Sequence, residues 1–250
     1  MARYVDLTCD EAQQIICYPT PESSCLSERI HKLKLVGVKK LLLNGNPKDP
    51  VHLKVLGVGH AGVVVKALWN NMVVALKIRR VDSKRETLEE EAKLQKLAST
   101  LNVAPKVYAY NRDFIIMEYI DGIKLVEWLR RQPSLIDALT IIKDIIEKCR
   151  KLDVIGLDHG ELSRAKTHIL IGKGRVYIID YESASTRRKP KNLTSICAYL
   201  FMRDSMESTH LRRLFGIDKA VLRELLKAYK ENPSEDTYHN ILNYILANRP

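Results

Sequence analysis

Lys77 closes the run Val73-Val74-Ala75-Leu76-Lys77 and follows, by twenty residues, the start of the stretch Gly57-Val58-Gly59-His60-Ala61-Gly62-Val63-Val64. Glycines at this G-x-G-x-x-G spacing let a backbone come close to phosphate, and an ammonium beside them can neutralise it. Further along, Glu161 and Asp180 stand nineteen residues apart, the second at the end of the apolar run Val176-Tyr177-Ile178-Ile179. Of two carboxylates held near each other, one can orient an attacking hydroxyl and accept its proton. The other can grip Mg²⁺ on the β- and γ-phosphates. Glycine loop, lysine, first carboxylate and second carboxylate, in that order, are the parts that phosphoryl transfer uses. The plain alternative is an ordinary hairpin turn followed by a surface lysine.

The elements that must position these residues follow from periodicity and turn signals. Three glycines at this spacing also open dinucleotide-binding βαβ units, but there they lead into a helix. Here they lead into β-branched Val63-Val64-Val65, which reads as a second strand and makes a glycine-tipped hairpin. Strands are expected near 52–58, 62–68, 72–79, 106–110 and 114–118, and a helix over 86–99 with Leu94, Leu97 and Leu101 along one face. Phe114 to Glu118 reads as a buried strand that leaves the sheet by Gly122. Beyond it the chain turns helical. Leu125 to Arg131 makes a short helix, and Ser134 to Asp137 caps a long amphipathic one carrying Leu135, Ala138, Leu139, Ile142, Ile145, Ile146, Cys149 and Leu152 at spacings of three and four. Leu157 to Ser163 forms a loop, and His168 to Ile171 with Val176 to Asp180 a hairpin around Gly172-Lys173-Gly174. Asn192 to Met202, Lys219 to Lys230 and Asp236 to Ala247 complete a helical second half, to which no chemistry is assigned. Ahead of all this, residues 1–50 form a prelude of uncertain role. Thr8 to Glu11 fits a capping box for a short helix ending before Pro19, Pro19 to Ser27 is turn-rich, and basic, aliphatic Leu33 to Leu43 ends at Asn44-Gly45-Asn46-Pro47.

Composition bounds the remaining possibilities. The chain has 250 residues, 46% of them hydrophobic, enough for one large core or two modest ones. No apolar run approaches the ~20 residues that span a bilayer, and the N-terminus lacks the long apolar core of a signal peptide. A cytoplasmic location is expected, with no membrane partner. The cysteines are Cys9, Cys17, Cys25, Cys149 and Cys197. No C-x-x-C pair is among them, and the eight-residue recurrence of the first three matches no usual zinc spacing, so they read as reduced thiols. A net charge of +11 favours polyanionic partners, RNA or a ribonucleoprotein as well as nucleotides. The basic residues fall in short scattered clusters, for which a solvated face is the alternative.

Taken as a set, these motifs resemble the small RIO-like members of the protein-kinase-like superfamily, close to the predicted Ser/Thr kinases of archaea. The resemblance covers roughly residues 51–205. His159-Gly160-Glu161-Leu162-Ser163 is similar to the H-G-D-L-S catalytic loop of that group, and Ile178-Ile179-Asp180-Tyr181 stands where D-F-G would. The resemblance implies an α+β, bilobal protein-kinase-like fold. Residues 51–119 would make a small antiparallel-sheet N-lobe with one helix, and residues 120–250 a reduced helical C-lobe.

It also implies roles for named residues. Gly57, Val58, Gly59, Gly62, Val64 and Ala75 would surround ATP, with Lys77 on its α- and β-phosphates. Glu90 or, preferably, Glu91 would hold Lys77 through an ion pair. Met117 would stand behind the adenine, and the backbone of Glu118, Tyr119 and Ile120 would bond its edge. Glu161 would position the hydroxyl, and Asp180 would carry Mg²⁺ or Mn²⁺, helped by Glu182 or Ser163. Where the group places a metal-binding asparagine, this chain offers Lys166 without a gap or His168 with a two-residue insertion. Neither suits Mg²⁺, so Lys166 is read as a phosphate contact. His60, at the loop tip, is an exposed histidine or a phosphate contact.

Two further departures carry consequences. Glu161 is one methylene longer than aspartate, which moves the proton acceptor by about an ångström, a displacement on the order of a hundredfold in rate if uncorrected. Tyr181-Glu182 in place of Phe-Gly removes a flexible position, so no large flip of that segment is expected. The short stretch from Tyr181 to Asn192, with no A-P-E after it, leaves no room for a full activation loop. Three functions follow: a kinase acting on protein Ser or Thr and on itself, a small-molecule or sugar kinase, and a nucleotide-binding pseudokinase or ribonucleoprotein assembly module. All rest on an ammonium from the sheet and a carboxylate from the hairpin meeting one triphosphate.

Overall fold

A computed structural model describes residues 3–21, 23–43 and 55–247. The chain divides into two compact units, Met1–Lys96 with Pro105–Ile120 and Leu97–Ala104 with Asp121–Pro250. No helix among the described residues is long and apolar enough to cross a membrane.

The first unit is built on a seven-stranded antiparallel sheet. In chain order its elements are β1 (Arg3–Asp6), α1 (Asp10–Ile16), α2 (Ser23–Leu35), β2 (Val38–Leu43), β3 (Gly57–Val58), β4 (Gly62–Trp69), β5 (Met72–Arg79), α3 (Glu89–Thr100), β6 (Val107–Tyr110) and β7 (Phe114–Glu118). The strand order is β1-β2-β4-β5-β7-β6, with β3 also paired to β4. Alternation along each strand sorts side chains between two cores. Val63, Val65, Ala67, Val74, Leu76, Ile78, Phe114 and Ile116 face a core shared with Ile15, Ile16, Leu33 and Leu41. Ile115 points the other way, to Leu88 and Ala92 at the start of α3. Lys77, between Leu76 and Ile78, must therefore lie on the α3 face of the sheet.

The N-terminal stretch departs from expectation. Beyond the one short helix expected there, it is a β-α-α-β run whose strands extend the sheet. Pro19 to Ser27 is not wholly turn: α2 begins at Ser23, because Leu26, Ile30 and Leu33 at i, i+4 and i+7 pack against the sheet core. The expected capping box does not form, since Cys9, not Thr8, is the N-cap of α1 and it makes no side-chain cap bond. The strand expected over 52–58 is seen only as Gly57–Val58: residues 55 and 56 form a bend, and residues 52–54 and the Asn44-Pro47 turn fall outside the described residues.

Three separated pieces of sequence are tied together at Asp113. Arg29 of α2 donates to Asp113 Oδ1 and to the carbonyls of Ile16 and Arg79, Lys32 donates to Oδ2, and Arg79 donates to Oδ1. Burial works to raise the Asp113 pKa, but Arg29, Arg79 and Lys32 outweigh it and hold the carboxyl below its ordinary value.

The second unit opens with β8 (Ile123–Lys124) and α4 (Leu125–Arg130). The long helix α5 (Leu135–Val154) follows, with the Ser134 hydroxyl accepting from the Asp137 amide as its N-cap. A 3₁₀ segment, Leu162–Thr167, leads into the hairpin β9 (Ile169–Gly172) and β10 (Arg175–Ile178), with β8 on the free edge of β9. Then come α6 (Asn192–Cys197), a wide turn over Ala198–Met202, α7 (Met206–Phe215), α8 (Lys219–Glu231) and α9 (Glu235–Ala247). Six of the eight residues that periodicity marked on α5 are buried (Ala138, Ile142, Ile145, Ile146, Cys149, Leu152), Leu135 and Leu139 are only half-buried, and Ile141 and Lys148 are buried beside them. Helix α7 lies in the stretch expected to be helical, although it was not expected as a separate element. Its signals are the Ser205 hydroxyl accepting from Ser208 N–H at one end and Gly216, in the left-handed region, at the other.

Candidate functional site

In the first unit the glycine hairpin closes through Gly59 N–H to Gly62 C=O at 2.9 Å, with Gly57 opposite Val64 and Val58 opposite Val63. Val58, Gly59 and His60 are exposed. The glycines differ in what they are for. A Cβ on Gly62 would meet the Ile78 carbonyl oxygen at 2.7 Å and Lys77 Cγ at 3.2 Å, so the fold itself requires glycine there. A Cβ on Gly57 would meet nothing within 4 Å, and one on Gly59 nothing nearer than 3.6 Å. Neither has a positive φ to explain it, so their bareness leaves space above the hairpin for another molecule's atoms.

Lys77, opposite Val64 on β4 and Ile115 on β7, reaches Glu91 with Nζ 2.5 Å from Oε1. Both residues are about 5% exposed or less. The neighbouring Glu90 pairs instead with Lys93 on the solvent face of α3, at 2.7 Å. Helical geometry explains the choice: Glu91 precedes Ala92, which packs under the sheet, whereas Glu90 is turned outward. Ala75 and Met117 are opposite each other on β5 and β7, and Gln95 Nε2 donates to the Met117 sulfur at 3.2 Å. The Glu118 amide donates to the Lys106 carbonyl at 2.8 Å. That amide is thereby engaged, leaving the backbone of Tyr119 and Ile120 as the better candidates for an adenine edge. Lys66 Nζ lies 4.3 Å from the centre of the Tyr119 ring.

In the second unit the loop before the 3₁₀ segment is anchored by residues that sequence reasoning did not single out. Asn192 accepts from His159 N–H at 2.8 Å and donates to the Leu157 carbonyl and to Asp153 Oδ1. Asp158, buried, receives Arg188 Nε and bridges backbone to backbone with Ser185. Gly160 has φ +87°, and a Cβ there would strike the Ser183 carbonyl oxygen at 2.7 Å. This sharp turn sets Glu161 beside the segment after Asp180.

His159 is fully buried, between Tyr181 and His168. Burial depresses its pKa to about 4, so it is neutral at pH 7. Its Nε2 donates to the Ile179 carbonyl at 3.1 Å and its Nδ1 receives Glu161 N–H at 3.4 Å, so the imidazole ties the Glu161 loop to the strand end carrying Asp180.

Ser183 donates to Glu161 Oε1 at 3.0 Å, and Arg164 approaches Oε2 at 3.1 Å. The extra methylene of Glu161 is thus taken up by turning the carboxylate onto Ser183. Asp180 has φ +68°, ψ 77°, a left-handed conformation rare for a residue with a Cβ. Its side chain is 39% exposed, and Oδ2 lies 3.8 Å from His168 Nδ1, too far for a hydrogen bond. That buried nitrogen has no hydrogen-bond partner among the described residues.

Of the two residues that could stand at the asparagine position, His168 is therefore the one beside Asp180. Lys166 is exposed and borders a shallow cavity with Tyr199, Arg203 and Glu207. Ser163 is exposed and Glu182 half-buried. Among the described residues no group of three or more His, Cys, Asp or Glu side chains gathers as a metal cluster, so Asp180, His168 and Glu182 do not form one. One carboxylate with an imidazole alongside still fits a cation that takes most of its ligands from phosphate and water.

The sequence matches the RIO domain over residues 72–204, more than half of the chain. The chain belongs to the RIO-domain family. Its fold, with an antiparallel N-terminal sheet and a helical C-terminal region, is that of the protein-kinase-like superfamily. The match begins at the first residue of β5, so the glycine hairpin lies ahead of it, while Lys77, Glu91, Glu161 and Asp180 lie inside. An uncharacterized protein of Methanocaldococcus jannaschii is 34% identical over 120 residues, 46% of this chain and 99% of that one. The KEOPS complex subunit Bud32 of Pyrococcus abyssi is 28% identical over 175 residues, 69% of this chain and 73% of that one. Membership in this kinase family implies ATP and a divalent metal.

Proposed function

We propose that this RIO-domain protein transfers the γ-phosphoryl group of ATP to a serine or threonine hydroxyl of a protein, itself included. The observation that carries the reading is the buried Lys77–Glu91 pair, a charge held on the side of the sheet opposite the main core. Burying two charges is expensive unless their geometry serves something. Here Glu91 fixes the ammonium where it can meet the α- and β-phosphates, under Val64 and Ala75 and below a hairpin whose Gly57 and Gly59 leave room. Tyr119 and Ile120 offer backbone groups to the adenine, with Met117 behind it. Glu161 orients the acceptor hydroxyl and takes its proton, and Ser183 holds that carboxylate in one rotamer. Asp180, with His168 beside it, holds the divalent metal; Glu182 and Ser163 are left to water-mediated roles, and Lys166 to the acceptor side. When bound, that metal supplies charge neutralisation on the β- and γ-phosphates.

A second reading has one specific observation in its favour. The Glu161 carboxylate is already engaged by Ser183 and Arg164, as a residue retired from catalysis could be. On that reading the chain binds nucleotide and acts as an assembly module, in keeping with its likeness to a KEOPS complex subunit and its +11 charge, which suits RNA or a ribonucleoprotein. Nothing favours a small-molecule acceptor in the same way. Incubation with γ-labelled ATP and Mg²⁺ or Mn²⁺, with and without a basic protein substrate, separates the two. Label on protein that disappears in Lys77→Ala and Asp180→Asn supports transfer. No label from any of them, together with thermal stabilisation by nucleotide in the unaltered protein alone, supports the binding module.

A further inference from the structure

Cys17 and Cys25 serve none of the roles described above. Cys17 is the C-cap residue of α1, and Cys25 sits in the first turn of α2. Their Sγ atoms are 2.8 Å apart, although neither is bonded to a partner cysteine. A disulfide bond is about 2.04 Å long, so these sulfurs are only about 0.8 Å beyond it. The helix end and the facing helix therefore already present the two side chains to each other, leaving about 0.8 Å for the sulfurs to close.

The surroundings separate this pair from the other thiols and set the order of attack. Cys17 is buried and Cys25 half-buried, so a reagent in water meets Cys25 first. Burial, and then the hydrogen bond from its own thiol to Cys25, push the Cys17 thiol up to about 12, which keeps it protonated until the second step. Cys149 and Cys197 are buried in the second unit, and Cys9 points to the Glu11 carboxylate. Arg29 stands one helical turn after Cys25 and donates to the Ile16 carbonyl, next to Cys17. A link between the two cysteines would thus brace the corner from which Arg29 reaches Asp113 and Arg79.

We propose that Cys17 and Cys25 form an oxidation site, converted by a low-molecular-weight disulfide into a cystine that staples the end of α1 to α2. The Cys25 thiolate attacks the external disulfide, forming a mixed disulfide and releasing one small thiol. Cys17 then attacks Cys25 Sγ, and its proton goes to the departing small thiolate, which leaves as the second small thiol. Two protein thiols are oxidised to one disulfide, and one small disulfide is reduced to two thiols. The inference does not depend on kinase activity.

The test treats the reduced full-length protein with oxidised glutathione, then alkylates it in denaturant and weighs it. Of five alkylatable thiols, three are expected to remain, with an unalkylated mass about 2 Da lower. Cleavage after Glu22 should leave the fragments carrying Cys17 and Cys25 joined until dithiothreitol is added. The midpoint of thermal unfolding should rise by about 5 °C on oxidation and fall back on reduction. Cys17→Ser should stop at a glutathione adduct on Cys25, and Cys25→Ser should stay unmodified at Cys17. Five alkylatable thiols after treatment, a lasting glutathione adduct on Cys25 in the unaltered protein, or a link through Cys9 would each overturn the proposal.

Discussion

Glu91 and Glu161 are the same chemical group in opposite surroundings. Glu91 is 4% exposed and sits against an ammonium that is itself buried. Glu161 has a side chain 24% exposed and is held by a serine hydroxyl and by an arginine that is largely in water. The same contrast holds for the aspartates: Asp113 lies inside a net of three cations, whereas the Asp180 side chain is 39% exposed, on a backbone bent into the left-handed region. The first unit builds permanent charge pairs into its framework. The second also buries one paired carboxylate, that of Asp158 with Arg188, but leaves the Glu161 and Asp180 carboxylates partly open to water. A buried pair is fixed before any ligand arrives, and breaking it damages the framework; an accessible carboxylate can be neutralised with little effect on folding.

Lys77→Ala is the sharpest way to break this contrast, because it should damage both properties. It removes the ammonium proposed to meet the phosphates and leaves Glu91 buried without it. Transfer of labelled phosphate should fall by on the order of a hundred- to a thousandfold. Stability, from urea unfolding, should fall by about 3–5 kcal/mol, since one partner of a buried ion pair is stranded. Unchanged stability would mean that the pair is not the structural charge argued here.

Asp113→Asn should damage only the framework. The three cations that meet Asp113 lose their anion, so stability at pH 7 should drop by about 3–5 kcal/mol, while the transfer rate per folded molecule stays the same. The sign of its pH dependence follows from the depressed carboxyl. A carboxylate with a lower pKa folded than unfolded contributes its full stability above the unfolded value and loses it as pH falls through the folded one. The gap between the unaltered protein and Asp113→Asn should therefore be widest at neutral pH and close below about pH 3.8. A gap that widens in acid would contradict the arrangement.

Glu161→Gln should do the reverse, lowering transfer by about a hundredfold while changing stability by less than about 0.5 kcal/mol. Single-turnover measurement, beside unfolding of the same variant, checks both halves. Transfer unaffected by this substitution would remove Glu161 from the chemistry and favour the binding-module reading.

The two regions also differed in how much of them could be read from residues in order. The glycine hairpin was legible from the glycine spacing and the β-branched run after it, and Lys77 from the Val-Ala-Leu-Lys run that follows, whereas the carboxylate on the next helix was expected only from the resemblance to protein kinases. Glu161 and Asp180 were legible as types at a spacing, but not in their settings. Asn192, Arg188 and Ser183 reach the Glu161 loop from 22 to 33 residues away, with no periodicity to announce them. Asp113 was invisible for the same reason, since it meets Arg29 across 84 residues. Helix α2 was hidden by proline and serine at its start, which signal a turn as readily as a helix entrance, and its apolar stripe matters only once β2 has joined the sheet.

Ser183→Ala is the smallest perturbation and the finest probe of the contrast. Its hydroxyl is one of two groups that hold the Glu161 carboxylate, and it is only half-buried, so its loss should leave folding within about 0.5 kcal/mol. A single hydrogen bond to a partly solvated carboxylate contributes roughly 1 kcal/mol, which sets the expected fall in kcat at roughly fivefold, with the KM for ATP unchanged. The direction carries more than the size. A carboxylate that Ser183 holds ready for the acceptor hydroxyl works less often when released, so kcat falls. A carboxylate that Ser183 holds back works more often, so kcat rises. Here Ser183 donates to Glu161 Oε1, and on the proposed reading that contact steadies a side chain one methylene longer than aspartate. A slower variant is therefore expected, and a faster one would turn Ser183 from a positioning residue into a restraint.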